Sequence, residues 1–313
     1  MDSRRVGRSG LEVSHLGLGT MTWGRDTDAD DAAAQLEAFV AAGGTLIDTS
    51  NVYGDGDAES ILGTLVPDVI PRADVVLATT SVGVGGGRGK LMATLEESLR
   101  RLGTDHVDLW QVHGFDSTVP FQETCSALQR AMDSGRARYV GLSGYAGWQL
   151  ATMATWLGCA GCPVVSTEAE YSLVERTAEE SLLPAAALHG VGLLAWAPLG
   201  RGVLTGKYRH GTPADSRGAS PHFSRYVGRH LRPDAARIVE AVATAAEGLG
   251  TSPLAVAGAW VRDRRGVASA IVGARDNAQL LGSLAAAEIT LPAEIRLALD
   301  DVSSAEPAGD SPS

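Results

Sequence analysis

Lysine is almost missing from this chain. Of 26 basic side chains in 313 residues, only Lys90 and Lys207 are amines and the other 24 are arginines. Acidic residues number 37, so the formal net charge is −11. Phosphate backbones reward clustered basic residues, and an acidic balance of this size excludes a nucleic-acid-binding role. Apolar runs of roughly 18 residues are missing as well, which excludes a membrane-spanning helix. The opening MDSRRVGRSGLEVS lacks the apolar stretch of a signal peptide. Three cysteines are too few for a disulfide framework in a chain of this size. A cytoplasmic protein without membrane or nucleic-acid partners is expected, and its oligomeric state stays open. What is present suffices for a large core: 44% of residues are hydrophobic and 20% charged. One domain over residues 1–313 is expected, with the Pro/Ser/Gly-rich stretch 305–313 as a disordered tail.

Short apolar runs recur at even spacing: 16–19, 46–48, 75–79, 107–112, 139–143, 164–168, 193–196 and 270–272. They are too short for helices and rich in β-formers, so they read as strands. Segments with helical periodicity lie between most of them: 30–42, 90–102, 121–134, 148–157, 178–189 and 277–287. Asp30 and Thr177 suit N-caps, and Gly43, Gly103, Gly135, Gly158 and Gly190 are placed just past helix ends. Eight strands alternating with helices fit a closed (β/α)₈ barrel or a doubly wound open sheet. The open sheet should carry G-x-G-x-x-G after its first strand. Here Gly17-Leu18-Gly19 is followed by Thr20-Met21-Thr22, so the third glycine is absent and the barrel is favoured. Residues 4–13 read as a hairpin able to plug the barrel's N-terminal end, and Gly200–Pro233 reads as one long functional loop.

Barrel enzymes place their chemistry at the C-terminal ends of the strands. There the sequence puts Asp48, Tyr53 and His113, a candidate acid/base set. Cys159-Ala160-Gly161-Cys162 is a lone C-x-x-C without a second pair or histidine at zinc spacing, so no metal site is expected. His210, His222 and His230 are scattered through the long loop. The glycine-rich stretch Gly83-Val84-Gly85-Gly86-Gly87-Arg88-Gly89-Lys90-Leu91 fails the P-loop spacing, which requires Ser or Thr after the lysine.

Longer motifs carry a resemblance. Leu46-Ile47-Asp48-Thr49-Ser50-Asn51-Val52-Tyr53-Gly54 resembles the Asp/Tyr motif of the aldo-keto reductases, and 99–109 resembles their segment leading into the histidine strand. Residues 198–208 resemble their loop along the cofactor pyrophosphate, and Ile271-Val272-Gly273-Ala274-Arg275 with Gln279 resembles their grip on the adenosine 2′-phosphate. The resemblance implies a (β/α)₈ barrel that binds NADP(H) and reduces a carbonyl of a small-molecule substrate. Tyr53 would be the proton donor and His113 would hydrogen-bond the carbonyl oxygen. It also implies that Thr20, Ser143, Glu168, Leu199, Gly202, Leu204, Lys207, Gly273, Arg275 and Gln279 hold the cofactor. Trp23 would be an aromatic of the substrate pocket.

The chain departs from that family at one end of the site. Where the resemblance implies a lysine after Leu77-Ala78-Thr79, this chain has Thr80, leaving Asp48, Tyr53 and His113 of a set of four. Gly144 stands in place of Asn, and Glu168 in place of Gln. Lys90 or Arg88 could supply the missing cation only by folding back over the rim. Three readings follow: an NADP(H)-dependent reductase with an incomplete catalytic set, a redox-neutral isomerase, cyclase, dehydratase or lyase on the same scaffold, and a non-catalytic NADP-binding protein.

Overall fold

The computed structural model describes residues 1–83, 85–214, 216–220 and 223–304. Val84, His222 and the proposed tail 305–313 lie outside the described residues. A short antiparallel hairpin comes first, β1 (Ser3–Arg5) with β2 (Glu12–Ser14). Eight parallel strands follow: β3 (Leu16–Gly19), β4 (Leu46–Ser50), β5 (Val76–Ser81), β6 (Val107–His113), β7 (Ala137–Ser143), β8 (Val164–Glu170), β9 (Gly192–Trp196) and β10 (Val267–Val272). They close into a barrel in sequence order, with β10 pairing both β9 and β3. This is the (β/α)₈ barrel rather than the open sheet, and each expected strand is in it. Val6, Leu11 and Val13 of the hairpin pack with the inward side chains Leu46, Ala78, Leu109, Val165 and Leu194. The hairpin therefore closes the barrel's N-terminal end.

Helices wrap the outside: α1 (Ala29–Ala41), α2 (Asp57–Val69), α3 (Arg88–Leu102), α4 (Phe121–Asp133), α5 (Gly147–Cys159) and α6 (Leu182–His189). After them come α7 (Ser224–Gly228), α8 (Pro233–Leu249), α9 (Pro253–Arg262), α10 (Asn277–Leu284) and α11 (Ala293–Ser303). Their apolar stripes turn inward; in α3 these are Leu91, Leu95, Leu99 and Leu102. Gly103 and Gly190 end their helices in the left-handed conformation, as their positions predict.

Three local expectations are corrected. The N-cap of α1 is Asp28, whose carboxylate accepts from the Asp31 amide at 2.9 Å, while Asp30 lies inside the first turn. Gly158 lies inside α5, which runs on to Cys159. Thr177 opens a short 3₁₀ turn, and α6 itself starts at Leu182.

The stretch 99–109 holds the scaffold behind the rim. Arg101 Nε donates to the buried Glu59 at 2.7 Å, and Glu59 also accepts from the Thr79 hydroxyl at 2.7 Å. Asp108 accepts from the Leu77 amide at 2.9 Å and pairs with Arg72 at 2.7 Å. These contacts fix β5 and β6 against α2 and α3.

Candidate active site

A cavity of about 720 Å³ opens at the C-terminal ends of the strands. Asp48, Tyr53, Thr80, His113, Ser143 and Glu168 are among the residues that line it. The parallel register produces this gathering. Ser50 lies opposite Thr80, Thr80 opposite Gln111, and His113, Ser143 and Glu168 form one row across β6, β7 and β8.

A polar network ties these strand ends together. Gln111 Nε2 donates to Thr80 Oγ1 and to Glu168 Oε2, each at 3.3 Å, while Gln111 Oε1 accepts from the Ser166 hydroxyl at 2.9 Å. Ser143 hydrogen-bonds Glu168, and its Oγ lies 2.9 Å from His113 Nδ1. Asp48 stands outside this network. It is 3% exposed and its Oδ1 has no hydrogen-bond partner. The Ser50 hydroxyl is turned to the Thr80 carbonyl at 2.8 Å, so it does not serve Asp48.

The electrostatics follow from two buried carboxyls on which no basic side chain among the described residues acts. Burial pushes the Glu168 pKa up to about 7, against the pull of hydrogen bonds from Ser143 and Gln111. Burial, and then the charge of Glu168, pushes Asp48 well above the usual carboxylate range. Tyr53 is raised above its ordinary value by burial first, then by Asp48, Glu168 and Tyr226. Tyr53 therefore keeps its proton at neutral pH. Desolvation holds His113 below the ordinary histidine value, so its ring is neutral there. Gly144 has φ +70°, and a Cβ on it would meet the His113 ring at 2.9 Å. Glycine at 144 thus lets that ring lie against the backbone.

The cavity wall also carries cationic side chains. Lys207, Arg217 and Arg275 belong to it, together with Leu199, Gly202, Gly273 and Gln279. Burial, with Arg275 and Arg25 nearby, lowers the Arg217 pKa. Gln279 Oε1 accepts from the Arg275 amide at 3.3 Å, and Asp276 caps α10 beneath it. Gly19 and Gly273 keep the wall between β3 and β10 low; a Cβ on Gly273 would reach the Gly19 carbonyl at 3.4 Å. Cationic and hydrogen-bonding groups lining one cavity fit a phosphate-bearing ligand.

Most residues nominated from the sequence meet at this cavity, and three do not. Trp23 is fully buried, donates from Nε1 to Gln35 Oε1 at 3.1 Å, and is not part of the cavity wall. It packs beneath the rim because Gln35 gives its N–H a buried partner. Thr20 is also buried, its hydroxyl 2.8 Å from Thr49 Oγ1, and Leu204 is a core side chain. Neither side chain reaches the cavity. Lys90 lies exposed on the first turn of α3, where its charge acts on Asp116, and Arg88 faces Ser126. No lysine or arginine folds over the rim from that loop.

The sequence reading missed the aromatic and cationic wall formed by Trp196, Arg201, Arg217 and Tyr226. Arg201 has φ +59°, pairs with Glu170 through Nε at 2.7 Å and lies 3.6 Å from the Tyr226 ring centroid. His230 Nε2 lies 2.8 Å from Glu170 Oε1. Glu170, Glu175 and His230 have the spacing of a metal site, but Arg201 and Arg229 already occupy Glu170. His210 lies exposed and is not one of this cluster.

A closed parallel barrel with titratable and cationic side chains around a cavity at its C-terminal rim has the architecture of the barrel enzymes. The chain belongs to the aldo/keto reductase family, whose profile matches residues 15–303. It is 36% identical over 303 residues to a probable voltage-gated potassium channel subunit beta of Oryza sativa subsp. japonica, covering 92% of each chain. It is 31% identical over 293 residues to the aldo-keto reductase YhdN of Bacillus subtilis, covering 90% of this chain and 87% of the relative. It is 36% identical over 231 residues to the L-glyceraldehyde 3-phosphate reductase of Escherichia coli K12, covering 69% of this chain and 67% of the relative. The relatives named for a reaction are oxidoreductases, and aldo-keto reductases generally use nicotinamide cofactors. Among the described residues, no helix is long and apolar enough to cross a membrane.

Proposed function

We propose that the chain is an NADP(H)-dependent oxidoreductase of the cytoplasm, acting as one barrel domain on the carbonyl of a small molecule, with Thr80 in place of the expected lysine. One observation carries this reading. One cavity is lined both by Asp48, Tyr53 and His113 and by Lys207, Arg217 and Arg275. Arg275 and Gln279 would hold the 2′-phosphate. Lys207 and the backbone around Leu199 and Gly202 would face the pyrophosphate, and Ser143 and Glu168 the carboxamide. When bound, the reduced cofactor supplies the hydride. Tyr53, protonated at neutral pH, gives its proton to the developing alkoxide, and His113 orients the carbonyl oxygen. Without a cation beside it Tyr53 is a weak acid, so slow turnover is expected.

The test follows NADPH fluorescence on binding, then NADPH oxidation with a panel of aldehydes and ketones. NADPH should bind more tightly than NADH by roughly tenfold or more, and Arg275→Ala should abolish that preference. Tight binding without turnover on any carbonyl would overturn the reductase reading. The Asp48–Glu168 pair favours a redox-neutral alternative for that case, because two carboxyls with separated pKa values can act as acid and base without hydride transfer.

A further inference from the structure

The floor of the cavity is electrically unfinished. Asp48 and Glu168 both line it, 3% and 5% exposed, and the charge of Glu168 adds to the cost of ionising Asp48. Elsewhere in this fold buried carboxylates have cations: Glu59 has Arg101, Glu170 has Arg201, and Asp108 has Arg72. At the floor no basic side chain among the described residues acts on either group. Glu168 has neutral partners in Gln111 and Ser143, but Asp48 Oδ1 has none. Asp48 as a residue lines the cavity while Oδ1 itself is buried just beneath the surface, so a small donor must settle into the floor to reach it. Thr80, which lines the same cavity, is short and neutral, and its Oγ1 accepts from Gln111.

We propose that the floor between Asp48, Thr80 and Glu168 is a site for a primary ammonium group, and that the substrate is a carbonyl compound bearing a protonated amine. An –NH₃⁺ group has three donors and no acceptor. That matches Asp48 Oδ1, the free acceptor capacity of Glu168 and the Thr80 hydroxyl. Two buried carboxyls that disfavour each other's ionisation would be relieved by one ammonium between them. The same cation would stand near Tyr53, whose proton burial, Asp48 and Glu168 together hold back in the free protein. The substrate would thus bring the positive charge that the floor lacks. The hydride-transfer part of this inference rests on the reductase reading. There the carbonyl carbon takes the hydride, the π pair moves to oxygen, that oxygen takes the Tyr53 proton, and the ammonium emerges unchanged. The cation site itself rests only on the floor.

The experiment has two arms. In the first, the cofactor-free protein is melted at pH 8 in methylammonium chloride and, at equal ionic strength, in tetramethylammonium chloride, which has no N–H donors. A saturable rise of about 2 °C or more is expected in methylammonium alone. Thr80→Lys, which supplies its own amine, should melt normally and lose the response, as should Asp48→Asn with Glu168→Gln. Equal melting in the two salts, or an undiminished response in those variants, overturns the site. In the second arm NADPH oxidation is compared with aminoacetone and hydroxyacetone. The amine should have the larger kcat/KM by about tenfold or more; equal or reversed values overturn the substrate class. If neither ketone is reduced while methylammonium still shifts the melt, the ammonium site stands and the reductase reading fails.

Discussion

A carboxyl group buried at the floor of a cavity holds its proton more tightly than the same group in the unfolded chain. For Glu168 the folded pKa is about 7 against an ordinary 4.5. The folded state therefore binds more protons between those values, and the Glu168 contribution to stability is fully present below pH 4.5 and lost as pH rises through 7. Glu168→Gln mimics the protonated form and can keep the contacts with Gln111 and Ser143. It should stabilise the protein at pH 8 by a few kcal/mol relative to the parent, with no gain near pH 4. Urea titrations at the two pH values measure this, and an equal effect at both would show that Glu168 is not proton-linked. Thr80→Lys tests the neighbouring position. An amine there pairs with Asp48 and draws the Tyr53 pKa down toward working pH. Turnover should rise by about 10²-fold, with a matching shift in the pH–rate profile. Asp48, Tyr53 and His113 were legible in the sequence because short motifs at strand ends fix them. Arg217 and Tyr226 were not, because a residue of a long loop is brought to the site only by tertiary packing.

At the scale of elements, the segment from Gly200 to Pro233 was read as one irregular loop, and the structure gives it a 3₁₀ turn over Gly200–Thr205 and the short helix α7. Arg201 anchors it. This side chain is paired with Glu170 at the end of β8, donates from Nη1 to the Tyr226 carbonyl at 2.7 Å, and stacks on the Tyr226 ring. Breaking a buried pair from one side leaves an uncompensated charge and costs about 3–5 kcal/mol. In Glu170→Gln most of that cost should fall on the segment, which can lift off while the barrel stays folded. Proteolytic cleavage within 200–233 should then speed up at least tenfold, and NADPH should bind more weakly. Unchanged cleavage would show that Glu170 does not hold the segment down. Helix α2 escaped the sequence reading for a different reason. Gly63 and Pro67 weaken its signal, yet Gly63 is needed there because a Cβ would strike the Arg101 carbonyl at 2.5 Å where α3 crosses. Packing demands a residue that propensity argues against.

Taken as a whole, the molecule separates stability from chemistry along the barrel axis. The cationic wall and the carboxyl floor occupy the C-terminal rim, and the hairpin of β1 and β2 closes the opposite end. The strands and the hairpin were legible because their alternation and spacing are local properties of the chain. How the hairpin docks was not, since it depends on Gly7 meeting a helix terminus far along the sequence. Gly7 has φ +59°, and a Cβ on it would lie 2.1 Å from the Gly190 carbonyl, which accepts from the Arg8 amide at 2.7 Å. Gly7→Ala must therefore strain the backbone and push the hairpin off the end of α6, at a cost of about 2–4 kcal/mol. If the chain unfolds as one unit, that cost appears as a fall of the whole melting transition, on the order of 5 °C, with no new step. Because Gly7 lies at the end of the barrel away from the cavity, NADPH affinity measured below the transition should stay within about twofold of the parent. A separate early step in the melt would instead show that the hairpin unfolds independently. A loss of affinity in step with stability would show that the two ends of the barrel are coupled.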